Sequence, residues 1–208
     1  MPKVASLAVV VALLAVGGLA PGPAVAAKHK RCRVPHGAKV LAKSRRLLVY
    51  KDNRFEDIYF FCVRPNGRRV TLLEPHVEFQ PIVGEVVVEV RLAGRYAAYR
   101  YRYHNNSQPS CSASPCYRVG INRPGGTPVE ADVGQNDTTF GLTAGGVLAW
   151  LTAVPGGQEL HVLGGPFGTQ APGLLVDSGA IDPASFSVQG TTLSWTNAGT
   201  PKAFSLTG

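Results

Sequence analysis

The sequence predicts an all-β fold, a small β-propeller of about four four-stranded blades. Three observations lead there: a motif that recurs four times, short apolar strands broken every few residues by Gly or Pro, and no long apolar pattern at helical spacing. A β-sandwich of hairpins is the alternative arrangement of the same strands. The motif closes on an aromatic: KSRRLLVY ends at Tyr50, LAGRYAAY at Tyr99, TAGGVLAW at Trp150 and VQGTTLSW at Trp195, with spacings of 49, 51 and 45 residues. Two positions earlier stand Leu48, Ala97, Leu148 and Leu193; one position earlier stand the small or β-branched Val49, Ala98, Ala149 and Ser194. Large rings at one register in every unit are expected to pack between blades.

Residues 1–26 come first, with one early Lys, an apolar run from Val4 to Ala20, a Pro/Gly break and then Ala24-Val25-Ala26. They read as a secretory signal peptide cut after Ala26, which leaves 27–208 as one domain off the membrane. Its units are expected near 38–80, 84–134, 138–180 and 183–208. The first offers strands KVLAK, LLVY, IYFFCVR and RRVTLLE; the second VVEVRLA, RYAAYRYRYH, CYRVGIN and TPVEAD. The third offers TFGLTA, VLAW, QELHVLG and LLVDSG, and the fourth SFSVQ, TTLSW and TPKAFSL. The first turn of units two to four holds a Gly-X pair at Gly94, Gly145 and Gly190, as a type II′ hairpin requires, because Gly enters positive φ without steric cost. The first unit has Arg45-Arg46 there instead. The fourth unit is one strand short, and the unassigned segment 28–35 is expected to supply it and close the ring.

All four cysteines follow the signal, and in an oxidising compartment an even number implies disulfides. Cys111 and Cys116 flank a four-residue loop suited to a local ring, which pairs Cys32 with Cys62. The pattern of export signal, early cysteine, units ending in L-A-W or L-x-W, and the tail LLVDSGAIDPASFSVQGTTLSWTNAGTPKAFSL resembles a group of secreted propeller-like proteins from high-GC actinobacteria. The resemblance implies a fold and a cell-envelope setting, and it implies no activity.

The formal charge of +8 is unevenly spread: residues 28–123 hold 19 Lys/Arg against 7 Asp/Glu, and residues 124–208 hold one Lys against six acids. If strands alternate in direction, the first and third turns of every unit share one rim. That rim collects Arg45, Arg46, Arg64, Arg68, Arg69, Arg95 and Arg123 with no acidic residue in the turns. Guanidinium groups grip phosphate, sulfate and carboxylate in a forked geometry, so an acidic polysaccharide or another cell-envelope polyanion is the expected partner. A merely solvated basic surface competes with that reading. Sequence-specific nucleic-acid binding is not expected: within Arg95–His104 the tyrosines 99, 101 and 103 alternate with Arg100 and Arg102, which puts stacking and phosphate groups on opposite faces.

Enzymatic readings rest on less. Carboxylate pairs such as Glu56-Asp57, Glu78 with Glu85, or Asp132 with Asp137 are more simply loop charges, and the five histidines are scattered without metal-ligand spacing. No cofactor or metal is expected. The function expected is that of an exported, non-enzymatic binding or scaffold module. A carbohydrate-active enzyme with its site at the propeller axis is the alternative.

Overall fold

In the computed structural model the chain is all-β, with four antiparallel sheets and a single 3-10 turn at Gly165–Phe167 among the described residues. Those are residues 31–54, 58–64, 67–73, 82–105, 115–135 and 138–207. The expected signal peptide and Cys111 lie outside them. Sheet 1 runs β1 (Lys39–Lys43), β2 (Leu47–Asp52), β3 (Ile58–Val63) and β4 (Arg68–Leu73), and sheet 2 runs β5 (Ile82–Ala93), β6 (Tyr96–Asn105), β7 (Cys116–Asn122) and β8 (Val129–Gly134). Sheet 3 holds β9 (Phe140–Leu142), β10 (Leu148–Val154), β11 (Gly157–Leu163) and β12 (Leu174–Gly179); sheet 4 holds β13 (Ile181–Gln189), β14 (Thr192–Asn197) and β15 (Thr200–Ser205). Every sheet is a meander in which sequence neighbours pair, and the first strands β1, β5, β9 and β13 approach one another in succession. The arrangement is propeller-like.

Period-two alternation explains how the layers stack. In each second strand the closing aromatic and the residue two before it face the preceding layer, and the residue between them faces the following one. Ala97 and Tyr99 thus share a buried cluster with Val49, Tyr59 and Phe61 of sheet 1. Leu148 and Trp150 meet Ala98 and Val119 of sheet 2, and Leu193 and Trp195 meet Ala149 and Leu160 of sheet 3. Each buried aromatic removes a large apolar area from water, which fixes the register of the layers.

The ends of the stack differ from its middle. Leu48 and Tyr50 face Cys32, Val34 and Ala38, so the N-terminal segment covers the outer side of sheet 1. The Cys32–Cys62 disulfide ties it there, and Cys116 is also disulfide-bonded. The expected strand exchange is not seen among the described residues: there sheet 4 has three strands and residues 31–38 form none, while residues 28–30 of the expected segment lie outside them. At the other end Ser194 pairs with Ser187 and Ala203 on the face turned away from sheet 3. Among the described residues, no buried cluster joins sheet 4 to sheet 1.

The first turns follow the Gly-X expectation at Gly94 and Gly190, with φ of 57° and 60°. The third does not. There Gly146 N–H bonds to Thr143 C=O and Thr143 N–H to Val147 C=O, while positive φ falls on Gly146 and not on Gly145. This is a three-residue loop with a left-handed residue after the turn.

Candidate arginine-lined site

The two-residue turn Arg45-Arg46 has no positive φ, so another device must close it. Ser44 supplies it: its Oγ accepts the N–H of Leu47 at 3.0 Å and of Arg46 at 3.3 Å, while its own N–H bonds to Leu47 C=O at 2.8 Å. The Ser44 carbonyl is left for the Arg64 guanidinium, which donates Nη1–H to it at 2.8 Å. Holding the turn in this way leaves the Arg46 side chain exposed at the rim.

Arg46 does not stand alone. It lines a depression of about 380 Å³ together with Arg68, Arg95 and Arg123, over a floor that includes Leu47, Val63, Pro124 and Gly125. These arginines come from the first and third turns of sheets 1 and 2, and all four are exposed. Gly125, at φ +82°, takes the left-handed conformation this second-sheet turn needs and lies beside the Arg68 guanidinium. Four cations around one concavity sum their fields, and its low-dielectric walls focus them on an anion.

The other three arginines of the expected set do not line it. Arg64 is spent on the Ser44 carbonyl. Arg69 lies over the Phe60 ring at 4.4 Å, on the sheet face covered by the N-terminal segment, and Arg45 is exposed but not part of the lining. The expected partition within Arg95–His104 is what the structure shows. Tyr99, Tyr101 and Tyr103 are buried toward sheet 1, whereas Arg100 reaches the Thr138 carbonyl at 2.6 Å on the opposite side.

A second depression, of about 280 Å³, adjoins the first and shares Arg123. Its lining is otherwise uncharged, with Tyr96, Asn122 and Thr127 from sheet 2 and the glycines 146, 164 and 165 from sheet 3. A Cβ on Gly146 would overlap the Tyr96 ring. Asn122 is only 3% exposed, and its Oδ1 has no hydrogen-bond partner. Sequence reasoning missed this residue.

The described carboxylates are engaged in structural ties. Glu130 accepts from Tyr99 Oη at 2.8 Å and Tyr101 Oη at 2.7 Å; Asp132 accepts from Tyr103 Oη at 2.8 Å and pairs with Arg118. Burial first, then the Asp132 hydrogen bond, pushes the Tyr103 phenol up to about 12, and burial with the Glu130 charge pushes Tyr101 up as well. Asp177 joins sheets 3 and 4, accepting from Trp195 Nε1 at 2.6 Å, Asn197 Nδ2 at 2.9 Å and Lys202 Nζ at 2.9 Å. Burial pushes its carboxyl up, but the donors from Asn197, Lys202, Trp195 and the Ser178 N–H outweigh it and hold it at about 2. Glu56, Asp57, Glu78 and Asp137 lie outside the described residues, as does the side chain of Glu85.

Comparison with family models, curated proteins and solved structures finds no match. The reading of the site therefore rests on its own chemistry.

Proposed function

We propose that the protein is an exported, non-enzymatic binding or scaffold module that contacts an acidic glycan or another cell-envelope polyanion through the rim of sheets 1 and 2. The observation that carries this is the convergence of Arg46, Arg68, Arg95 and Arg123 on one concavity. Each guanidinium offers a planar fork of donors matched to carboxylate, sulfate or phosphate. The Cys32–Cys62 bond supports export to an oxidising compartment. Neither the ligand's length nor its sequence matters to such a site as much as the spacing of its charges.

The test is binding of an anionic polysaccharide across a salt series. Affinity is expected to fall as salt screens the exposed charges. Replacing Arg46, Arg68, Arg95 and Arg123 together by Gln is expected to weaken binding about 30-fold, from four exposed contacts of about 0.5 kcal/mol each. An unchanged affinity in that variant, with the fold intact by circular dichroism, sinks the proposal.

A further inference from the structure

Four arginines attract any polyanion, so charge alone does not separate a polyphosphate from an acidic sugar chain. The adjoining depression does. It continues the arginine concavity through Arg123 yet brings no further cation. A polymer with a charge on every short unit would have to place some of its phosphates against this uncharged lining, where neutral hydroxyl and amide donors offset the desolvation cost less than a cation does. A chain whose charges are spaced by hydroxyl-bearing rings would not.

The lining has the matching chemistry. Asn122 lines the depression with its side chain almost wholly buried and its Oδ1 unpartnered beneath the surface, although buried polar atoms normally find partners; a turn of the amide is what would present it to a ligand. An amide presents both a donor and an acceptor, and a sugar hydroxyl is also both. Tyr96 forms part of the wall with its ring laid against Gly146, giving an apolar surface beside the polar group. Apolar walls with a few fixed polar groups are how small-molecule subsites orient a ligand.

We propose that the depression formed by Tyr96, Asn122, Thr127 and Gly146 is a sugar subsite that selects a uronate-type acidic glycan, one carboxylate in the arginine concavity and a neighbouring ring hydroxyl on Asn122. The assignment rests on the polyanion reading above and narrows it to one ligand class.

The experiment compares full-chain protein binding oligogalacturonate and inorganic polyphosphate at matched charge and salt. The parent is expected to bind the oligogalacturonate about tenfold more tightly, the worth of one hydrogen bond to an otherwise orphaned buried group. Asn122→Leu removes that advantage and weakens polyphosphate binding far less than oligogalacturonate binding. Should Asn122→Leu fail to fold, the side-chain amide resonance of Asn122 in the parent decides. A shift on adding oligogalacturonate and none on adding polyphosphate supports the subsite; no shift with either overturns it. If both polymers bind equally and Asn122→Leu alters neither, the subsite falls and the polyanion reading stands. If neither polymer binds the parent, the polyanion reading falls and the subsite with it.

Discussion

Gly120 lies in the middle of β7, opposite Tyr99 on β6, and its backbone is not in the left-handed region. Backbone propensity therefore favours Ala there, by about 0.5–1 kcal/mol. The structure says the opposite. Tyr99 lies flat across Gly120 so that its hydroxyl reaches Glu130, and a Cβ on Gly120 would sit 2.6 Å from Tyr99 Cζ, 2.7 Å from Cε2 and 2.9 Å from Oη. The ring has no room to retreat, being fully buried and stacked 6.1 Å from Tyr101. Gly120→Ala should thus incur overpacking of about 1–3 kcal/mol and strain or break a hydrogen bond to a charged acceptor worth about 1.5–3 kcal/mol. Less the backbone gain, the net is a loss of about 3 kcal/mol. For a domain of this size that lowers Tm by about 6–12 °C. Urea denaturation of the single variants and of Gly120→Ala combined with Tyr99→Leu closes a double-mutant cycle. With the ring gone, the alanine should cost nothing or stabilise by up to about 1 kcal/mol. A Gly120→Ala loss below about 0.5 kcal/mol, or an equal loss in the Tyr99→Leu background, refutes the steric account.

Two further outcomes follow from ties at the ends of the stack. The Asp177 carboxyl titrates lower folded than its ordinary value of 3.8, so its contribution is present above about pH 4 and is lost as pH falls through about 2. Asp177→Asn should cost about 1–2 kcal/mol at neutral pH, after allowance for screening, and the gap from the parent should close between pH 4 and 2 in acid-denaturation curves. The Cys32–Cys62 bond closes a loop with a sequence separation of 30. Replacing both by Ser should cost about 3–4 kcal/mol and raise the protease sensitivity of the N-terminal segment; uncoupled unfolding of that segment, with no change in the main transition, would contradict its role as the cover of sheet 1.

Much of the architecture was legible because burial between layers imposes the same size of side chain at the same register. Tyr50, Tyr99, Trp150 and Trp195 repeat for that reason, and Gly94 and Gly190 mark turns because other residues resist positive φ. The third turn was misread because Gly145-Gly146 offers two residues able to take positive φ, and only the hydrogen bonding of Thr143 selects the second. Segment 28–35 was expected to complete the fourth unit because that unit is one strand short. The clue was Cys62, which shares a strand face with Phe60 and so directs Cys32 to the outer side of sheet 1.

The site was half legible. Turn parity brought the arginines to one rim, and period two already puts the adjacent Arg68 and Arg69 on opposite faces, a separation the charge count ignored. That Arg64 is consumed by Ser44 depends on which carbonyl a tight turn leaves open. The Tyr–Glu130–Asp132 network depends on register across β7, including an irregularity between Tyr117 and Arg118, and no local pattern reveals it. Asn122 gives no signal in the sequence, since its importance is the lack of a partner in a space made by two sheets.

The closing aromatic always looks back toward the layer before it, while the residue beside it looks forward: Val49, Ala98 and Ala149 offer an apolar seat, and Ser194 does not. The molecule accordingly has a direction. A chain emerging N-terminus first would find, at each unit, that the surface its next ring needs is already in place. Assembly can proceed in the order of synthesis, each apolar seat formed before the ring that fills it, whereas Ser194 presents a polar group on the outer face of sheet 4.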